Sequence, residues 1–487
     1  MESEMRIAIF AIYLRGADSI GRQLIEWVRA LHRHGHTVRV IVERVDSGAP
    51  ADVLAYTVVH TEGGLRHSDD WEYVRTADLV ICDYPAFYGL ADYLRLLDQP
   101  AVLFHYRGVT PPALWPDPAG RTFLEQSRRR ASLVHFADLA VSDSEFTRQE
   151  LHHLTGYPLD RIRVLPCVVP PPPPMEPCPP ASDTTPLILS VGRLAANKRP
   201  HLLVEALAQV RREVPGTRLV LVGDTRGPSH APVLAKVRAY AEELGLTEAV
   251  FCTGLVDDLL LEHLYAQASV LVSASAHEGF CIPVAEAMAR GVPVVCMGAG
   301  ALPETVGDAG ILVPDGDVPM LAAAIIRVLR DTAERRDLIT RGLMHAGHYR
   351  PEAVIPRILQ LIERLGPHTA TQTGLARLGQ MVDLGSIEAA AEVAPALLEA
   401  NKRIPLVSTL ATRLRRWMSS ETRRTLDELL SRQVTYNRQV ARALHALDEL
   451  SAQLSEREAA LRLVQQAARQ DYDGPVEAQP YTESRTP

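Results

Sequence analysis

The feature that most constrains this chain is a pattern of short apolar segments that alternate with helical segments, stops once and then resumes. In the first part, the apolar segments RIAIFAIYL, DLVICDY and AVLFHY are separated by helix-like stretches such as IGRQLIEWVRALHRHG. Strands that alternate with helices predict a parallel β-sheet with helices on both faces. Gly35 is well placed to end the first helix, because glycine readily takes the left-handed conformation after a last turn. We therefore predict a Rossmann-like domain over residues 1–169.

The interruption is rich in proline. Residues 170–180, PPPPPMEPCPP, contain eight prolines, which lack the N–H donors and the φ freedom that helix or sheet requires. A linker is predicted over residues 170–185. The alternation then restarts with PLILSVGRL and TRLVLVGD, so a second Rossmann-like domain is predicted over residues 186–350. The predicted fold class is α/β.

The remaining segment, residues 366–487, has no strand-like pattern and is predicted to be a helical extension that ends in a polar tail. A 3-4 spacing of apolar residues from Leu426 to Leu461, with several polar interruptions, resembles a heptad seam. It predicts either a coiled coil over residues 426–465 or an amphipathic hairpin packed back on the enzyme. A coiled coil would bind a partner protein or a second copy of the chain.

A basic amphipathic helix is predicted just before this seam. The stretch RIPLVSTLATRLRRWM places Arg413, Arg415 and Arg416 beside Trp417. Such a helix either rests on an anionic membrane surface or docks against other helices of the protein.

Charge and cysteine content narrow the function classes. A net charge of −8 and a pI near 6.1 argue against broad binding of nucleic acid. The six cysteines are scattered with no C-x-x-C pair, which fits neither a disulfide framework nor a zinc site. The N-terminus lacks the cationic start of a secretory signal, and no stretch approaches the roughly 20 apolar residues of a membrane span. We expect a cytoplasmic protein whose membrane contact, where it exists, is peripheral at the inner face.

The densest cluster of candidate site residues lies in SASAHEGFCIPVAEAMARGVPVV. Pro283 fits the start of a helix and Gly291 its end, so Glu286 is predicted in the first turn, near exposed backbone amides. Such amides bind phosphate, and carboxylates such as Glu278 and Glu286 accept hydrogen bonds from sugar hydroxyls. Alternatively, Glu286 only complements the helix dipole and Glu278 is a solvated loop residue.

A second cluster, SVGRLAANKRP, follows the first strand of the second domain. Gly192 permits a turn there, and Arg193 and Lys198 then emerge at the carboxyl edge of the sheet, where ligands of open α/β sheets bind. Two cations can neutralise a diphosphate as it leaves, a task that a divalent metal performs elsewhere. Cations after a strand are also often simply solvated.

Together these motifs resemble a known family. G-R-L-x-x-x-K followed by E-G-F-x-x-P-x-x-E-A-M-A-x-G-x-P-V-V is similar to the nucleotide-binding half of family-4 retaining glycosyltransferases of GT-B fold, and the likeness covers nearly all of residues 186–313. The resemblance implies that Glu278 contacts the transferred sugar, Glu286 the ribose, and Arg193 with Lys198 the diphosphate. It implies that the backbone near Gly254 to Val256 meets the base. The amides that follow Glu278 would stabilise phosphate charge; they belong to Gly279, Phe280 and Cys281.

The first half resembles the family more loosely, through LRGADS, YRGVTPP and VSDSEFTRQEL. Gly16, in the first of these, is expected to approach the diphosphate or the acceptor. Family members often carry Y-H-[NG]-x-T-P-P, whereas this chain has Arg107 at the histidine position and His105 two residues earlier. Residues two apart on a strand face the same side, so His105 either reaches the cleft in a catalytic role or is a hydrogen-bonded structural histidine.

The resemblance implies two Rossmann-like domains that face a cleft, with the acceptor on the first, the nucleotide-sugar on the second, and a helix over residues 351–365 that crosses back to the first. The expected activity is retaining transfer of a hexosyl unit from a GDP- or UDP-sugar to a glycan or lipid-linked acceptor in cell-surface polysaccharide synthesis. No cofactor or metal is expected, because GAGALP lacks the third glycine of a dinucleotide fingerprint and Asp257 and Asp258 fit a helix start. The alternatives are a non-catalytic scaffold and a nucleotide-sugar epimerase or phosphorylase of the same fold.

Overall fold

The computed structural model describes residues 4–16, 19–46, 48–61, 64–97, 99–173, 185–225 and 229–365. The predicted helical extension, its basic amphipathic helix and its seam over residues 426–465 therefore lie outside the described residues. The same holds for residues 174–184, which make up most of the predicted linker.

The first half of the described chain forms a parallel sheet. Its strands are β1 (Arg6–Leu14), β2 (Thr37–Val45), β3 (Thr57–Val59), β4 (Leu79–Tyr84), β5 (Ala101–Tyr106), β6 (Leu139–Ser142) and β7 (Ile162–Val164). They lie in the order β3-β2-β1-β4-β5-β6-β7. Strands β4 and β5 are buried along their whole length, which explains why their sequences are continuous apolar runs.

Helices cover this sheet. They are α1 (Ser19–Arg33), α2 (Ala51–Leu54), α3 (Asp69–Arg75), α4 (Pro118–Arg130) and α5 (Glu145–Thr155). Helix α1 ends as its sequence predicts, with His32 and Arg33 in the last turn and Gly35 at a φ of +83°.

The second half forms another parallel sheet. Its strands are β8 (Leu187–Val191), β9 (Arg218–Val222), β10 (Val250–Gly254), β11 (Val270–Ser273), β12 (Val294–Met297) and β13 (Ile311–Val313), in the order β10-β9-β8-β11-β12-β13. In both sheets the order reverses beside the first strand of the half, which is the arrangement of a Rossmann-like fold. The prediction of an α/β fold with two such sheets is confirmed.

The helices of this half are α6 (Pro200–Glu213), α7 (Ala231–Glu243), α8 (Asp258–Gln267), α9 (Ile282–Ala289), α10 (Leu302–Val306), α11 (Val318–Arg330) and α12 (Thr332–Ala346). Asp257 caps α8, since its Oδ1 accepts from the Leu260 amide at 2.8 Å. Asp317 caps α11 in the same way, with Oδ1 2.9 Å from the Met320 amide. No helix of the described residues is both long enough and apolar enough to span a bilayer.

A last helix, α13 (Pro351–Leu365), returns to the first half. Its buried residues Val354, Ile358 and Ile362 belong to the same hydrophobic core as β1 and α1. Burying one isoleucine side chain contributes about 1.5–3 kcal/mol. The chain of the second half is thereby anchored on the first, on one side of the cleft between the two sheets.

Candidate active site

A cleft of about 720 Å³ is lined by residues of both halves. It lies where strands β1, β5, β8 and β9 end, as expected for a site at the carboxyl edge of parallel sheets. Many of the predicted site residues line it, namely Gly192, Arg193, Lys198, Val256, Glu278, Gly279, Phe280, Cys281 and Glu286. Gly16, His105 and Gly254 are described but are not among the lining residues.

Glu278 and Lys198 meet in this cleft. The Nζ atom of Lys198 lies 2.5 Å from Oε1 of Glu278, and the carboxylate is buried. Burial raises the pKa of Glu278, but the charge of Lys198 and hydrogen bonds from Lys198 and Ser275 more than offset this, so the pKa lies below its ordinary value. At neutral pH the pair therefore presents an ionised carboxylate and an ammonium group to a ligand.

Arg193 supplies a second cation. It follows the turn at Gly192, where φ is +154°, and its side chain is exposed and lines the cleft. Within the described residues its guanidinium makes no ion pair or hydrogen bond, so its donors are available to an anion. Close packing of loops keeps this turn in place, because a Cβ atom on Gly223 would lie 2.0 Å from the carbonyl oxygen of Gly192.

The loop after Glu278 leads directly into helix α9. Gly279 packs against the first half so closely that a Cβ atom there would lie 2.3 Å from the carbonyl oxygen of Arg107. Cys281 has a φ of +75°, an uncommon conformation for a side-chain-bearing residue that often marks a functional site. Pro283 has no N–H and the Val284 amide donates to the Cys281 carbonyl at 3.1 Å, so Ile282 carries the amide at the start of α9 that has no partner within the helix.

Glu286 is held from both halves. Its Oε2 accepts from the hydroxyl of Tyr265 at 2.9 Å, and its Oε1 lies 3.4 Å from Nη1 of Arg22, on helix α1. Arg22 also pairs with Asp258, at the start of α8. One prediction needs correction here: α9 begins at Ile282, so Glu286 is the fifth residue of the helix and stands just past the first turn.

The alternatives at positions 105 and 107 are separated by the structure. Arg107 lines the cleft, with Nε 2.7 Å from Asp83 and Nη1 3.1 Å from Asp143. His105 is only 2% exposed, stacks on Trp27 and lies 2.8 Å from Asp143. His105 is therefore buried behind the cleft lining, where a structural role fits its contacts, and a catalytic role for it stays a prediction.

The requirement for glycine at position 16 also has a structural cause. A Cβ atom on Gly16 would lie 2.0 Å from the carbonyl oxygen of Gly48, so the residue serves close packing of two loops of its own half. Gly16 is not among the residues that line the cleft, and its approach to the diphosphate or the acceptor stays a prediction. Its neighbour Arg22 does reach the cleft and donates from Nε to the Gly16 carbonyl at 3.2 Å.

Sequence reasoning missed Arg22, Tyr265 and Asp143. Arg22 and Glu286 are 264 positions apart, and no local pattern connects them. Asp143 could have been found, because it stands in the segment VSDSEFTRQEL that resembles the family and directly follows strand β6.

Comparison with known proteins agrees with this geometry. The family model described as Glycosyl transferases group 1 matches residues 178–343, and the model described as Glycosyltransferase Family 4 matches residues 20–171. Between them the two matches include every strand of both sheets except β1. The chain belongs to glycosyltransferase family 4.

Relatives within the family match parts of the chain. The O-antigen chain mannosyltransferase B of Escherichia coli is 33% identical over 223 residues, which are 44% of this chain and 57% of that protein. A D-inositol 3-phosphate glycosyltransferase of Acidothermus cellulolyticus is 31% identical over 266 residues, 50% of this chain and 56% of that protein. The chain thus spans little more than half the length of these two relatives.

Solved structures share the GT-B fold of the family. Sucrose-phosphate synthase from Thermosynechococcus elongatus is 22% identical with a TM-score of 0.60, and the match covers 74% of this chain and 99% of that one. HepE from Anabaena, solved in complex with UDP-glucose, is 19% identical with a TM-score of 0.60 and coverages of 74% and 100%. These similarities show the fold of the chain, and they do not identify its substrate.

Proposed function

We propose that this protein is a retaining glycosyltransferase of the cytoplasmic side that transfers a hexosyl unit from a GDP- or UDP-sugar to a glycan or lipid-linked acceptor in cell-surface polysaccharide synthesis. The observation that carries the proposal is the pairing of Glu278 with Lys198 beside the unpaired Arg193, in a cleft between two Rossmann-like sheets. The relative from Escherichia coli, named as an O-antigen chain mannosyltransferase, supports the context.

The donor is assigned to the second half. The two cations Arg193 and Lys198 would bind the diphosphate, since charge-assisted hydrogen bonds to phosphate are about twice as strong as neutral ones. Ionised Glu278 would accept hydrogen bonds from hydroxyls of the transferred sugar, and Glu286 from those of the ribose. A solved neighbour named as a complex with UDP-glucose supports a nucleotide-sugar as the donor.

The proposed reaction exchanges one bond of the anomeric carbon for another. The acceptor hydroxyl attacks on the face from which the nucleotide departs, so the configuration at that carbon is retained. The bond to the diphosphate breaks, the bond to the acceptor oxygen forms, and the hydroxyl proton passes to an oxygen of the departing phosphate. Arg193, Lys198 and the amides after Glu278 stabilise the charge that develops on the diphosphate.

Radiolabelled GDP-, UDP- and ADP-sugars, incubated with and without a panel of glycan and lipid-linked acceptors, test this proposal. We expect label in an acceptor product with the anomeric configuration of the donor, at a rate that EDTA does not lower. Isomerised nucleotide-sugar formed without an acceptor would instead identify an epimerase. Donor binding, detected as a rise in melting temperature, without turnover on any acceptor would identify a scaffold.

Arg22 gives a first prediction about donor binding. Replacing Arg22 with glutamine should raise the KM for the donor about tenfold, because it removes a charged hydrogen bond to buried Glu286. We place the effect near the low end for such bonds, since the distance to Glu286 is 3.4 Å and the Arg22 side chain is 32% exposed. The matched control is Arg29→Gln, on the same helix, which pairs with Asp52 outside the cleft. Equal donor KM values in the two variants would contradict the assignment.

A further inference from the structure

Helix α5 of the first half is capped by a residue of the second half. The carboxylate of Glu304, on α10, accepts hydrogen bonds from the backbone amides of Glu145 and Phe146, each at 2.6 Å. These are the first two amides of α5 and have no partners within the helix. A carboxylate at this end of a helix is further favoured by the helix dipole. The contact therefore joins the two halves through a charged cap.

A second contact involves the residue before the helix. Ser144 donates from its Oγ to the carbonyl oxygen of Gly279 at 2.7 Å, and the same Oγ accepts from the Thr147 amide at 3.1 Å. The start of α5 is thus bonded to the loop that carries Glu278, one residue after that glutamate.

A third contact is made one and a half turns further along α5. Oε1 of Glu150 lies 3.2 Å from Nε2 of His277, the residue immediately before Glu278. Glu150 is itself fixed, because Arg128 donates to Oε1 and Tyr106 to Oε2, both at 2.8 Å. Burial raises the pKa of Glu150, but His277 and Arg128 outweigh it and hold the pKa below its ordinary value.

Helix α10 is tied to the same loop from the other side. The Ala301 amide, just before α10, donates to the carbonyl oxygen of Glu278 at 3.0 Å. Thr305, the residue after Glu304, donates from its hydroxyl to the carbonyl oxygen of Phe280. Helix α10 is thus bonded to α5 through Glu304 and to the backbone of residues 278 and 280 through Ala301 and Thr305. The contact of Glu304 with α5 therefore fixes the backbone on both sides of Gly279.

We infer that α5 is a docking helix for the loop 277–280 and that Glu304 is the positioning residue that seats this loop on it. The inference rests on the proposed function, because the loop carries the glutamate assigned to the transferred sugar. When the two halves close, the cap on α5 forms, and Ser144 and Glu150 then hold the residues that flank Glu278. Glu304 is not among the residues that line the cleft, so it acts through the loop and through the closed arrangement.

Hydrogen exchange and kinetics on the full-length chain test this role. In Glu304→Ala, the amides of Glu145 and Phe146 should exchange about tenfold faster or more, since they lose their only acceptor among the described residues. The Thr147 amide keeps its bond to Ser144 and should change less. The kcat should fall about tenfold or more, while the Kd of the donor, which the second half binds, changes less than about twofold. Glu304→Gln keeps one acceptor oxygen and should give an intermediate kcat.

The matched control is Asp317→Ala, which removes a helix cap within the second half. It should leave kcat and the exchange of residues 145 and 146 at their wild-type values. Unchanged exchange in Glu304→Ala would show that the cap does not form in solution and would overturn the inference. Faster exchange with an unchanged kcat would overturn the positioning role. A wild-type protein that transfers no sugar contradicts the proposed function alone, because the exchange result is independent of activity.

Discussion

Replacing Arg193 and Lys198 together with alanine is expected to lower kcat at least about 10³-fold, because losing a single preorganised donor to transition-state charge already lowers kcat about 10²–10³-fold. The two side chains are the cations that line the cleft on the turn after β8, and Arg193 has no competing partner among the described residues. The diphosphate gains an additional negative charge as the sugar leaves it, and these cations stabilise that extra charge, so kcat should fall more than donor affinity. Steady-state kinetics with a donor identified by the panel above provide the measurement.

The pH dependence of the single variant Lys198→Ala distinguishes the loss of this cation from a general loss of folded structure. Without Lys198, burial of Glu278 is opposed only by the Ser275 hydrogen bond and His277, so the pKa of the carboxyl rises above its wild-type value. Its residual activity should therefore increase with pH over a range near neutrality in which the wild-type rate is flat. The control Arg212→Ala with Lys236→Ala removes two exposed cations of the same half outside the cleft and should leave kcat unchanged. If the variant that combines Arg193→Ala with Lys198→Ala keeps a kcat within twofold of wild type, the assignment of these two cations to the diphosphate is refuted.

The two-sheet fold was accessible from the sequence because its signals are local. Strands such as β4 and β5 are buried on both faces, so their sequences are continuous apolar runs. The end of α1 is indicated locally by Gly35, which has a positive φ. The sequence pattern places the start of α9 at Pro283, whereas the helix begins one residue earlier, at Ile282, and Pro283 occupies its second position. Helix ends commonly differ by one or two residues from where a sequence pattern places them.

The side of the cleft that we assign to the donor could likewise be predicted, since two short motifs that follow strand ends contain Glu278, Glu286, Arg193 and Lys198. The contacts from the opposite half could not. Arg22 meets Glu286, and Glu304 meets the amide of Glu145, only because the halves close on each other, and their separations of 264 and 159 positions exceed any periodic signal.

Positions 105 and 107 show how a correct local inference still leaves a role undecided. Both side chains do contact Asp143, as residues two apart on a strand should. However, His105 lies inside β5, which ends at Tyr106, and Trp27 covers it. Arg107 comes just after the strand end, so it alone of the two reaches the cleft. The decisive fact is where β5 ends, which the apolar pattern does not fix.

Arg107 is also expected to support the fold, and its replacement with methionine should lower the free energy of unfolding by about 3–5 kcal/mol, as is usual when one partner of a buried ion pair is removed. Arg107 is 7% exposed and its guanidinium is bonded to both Asp83 and Asp143, so methionine would fill the volume but remove the cation that the two buried carboxylates share. Denaturation by urea measures the change. Arg129→Met, at an exposed position on α4, is the control and should stay within about 0.5 kcal/mol of wild type.

The deficit of Arg107→Met should widen as the pH rises. In the wild type, burial raises the pKa of Asp143, but Arg107 and His105 outweigh it, so the folded-state pKa is depressed and Asp143 stabilises the fold above its unfolded-state pKa. That contribution is lost only as the pH falls through the depressed folded value. In the variant, burial, which is the largest effect, is opposed only by His105, so we expect the pKa of Asp143 to move above that of the unfolded chain; ionisation then destabilises the fold as the pH increases. Unfolding at pH 5 and pH 7.5 should therefore give a larger difference from wild type at the higher pH, and an equal difference at both would mean that Arg107 acts through packing alone.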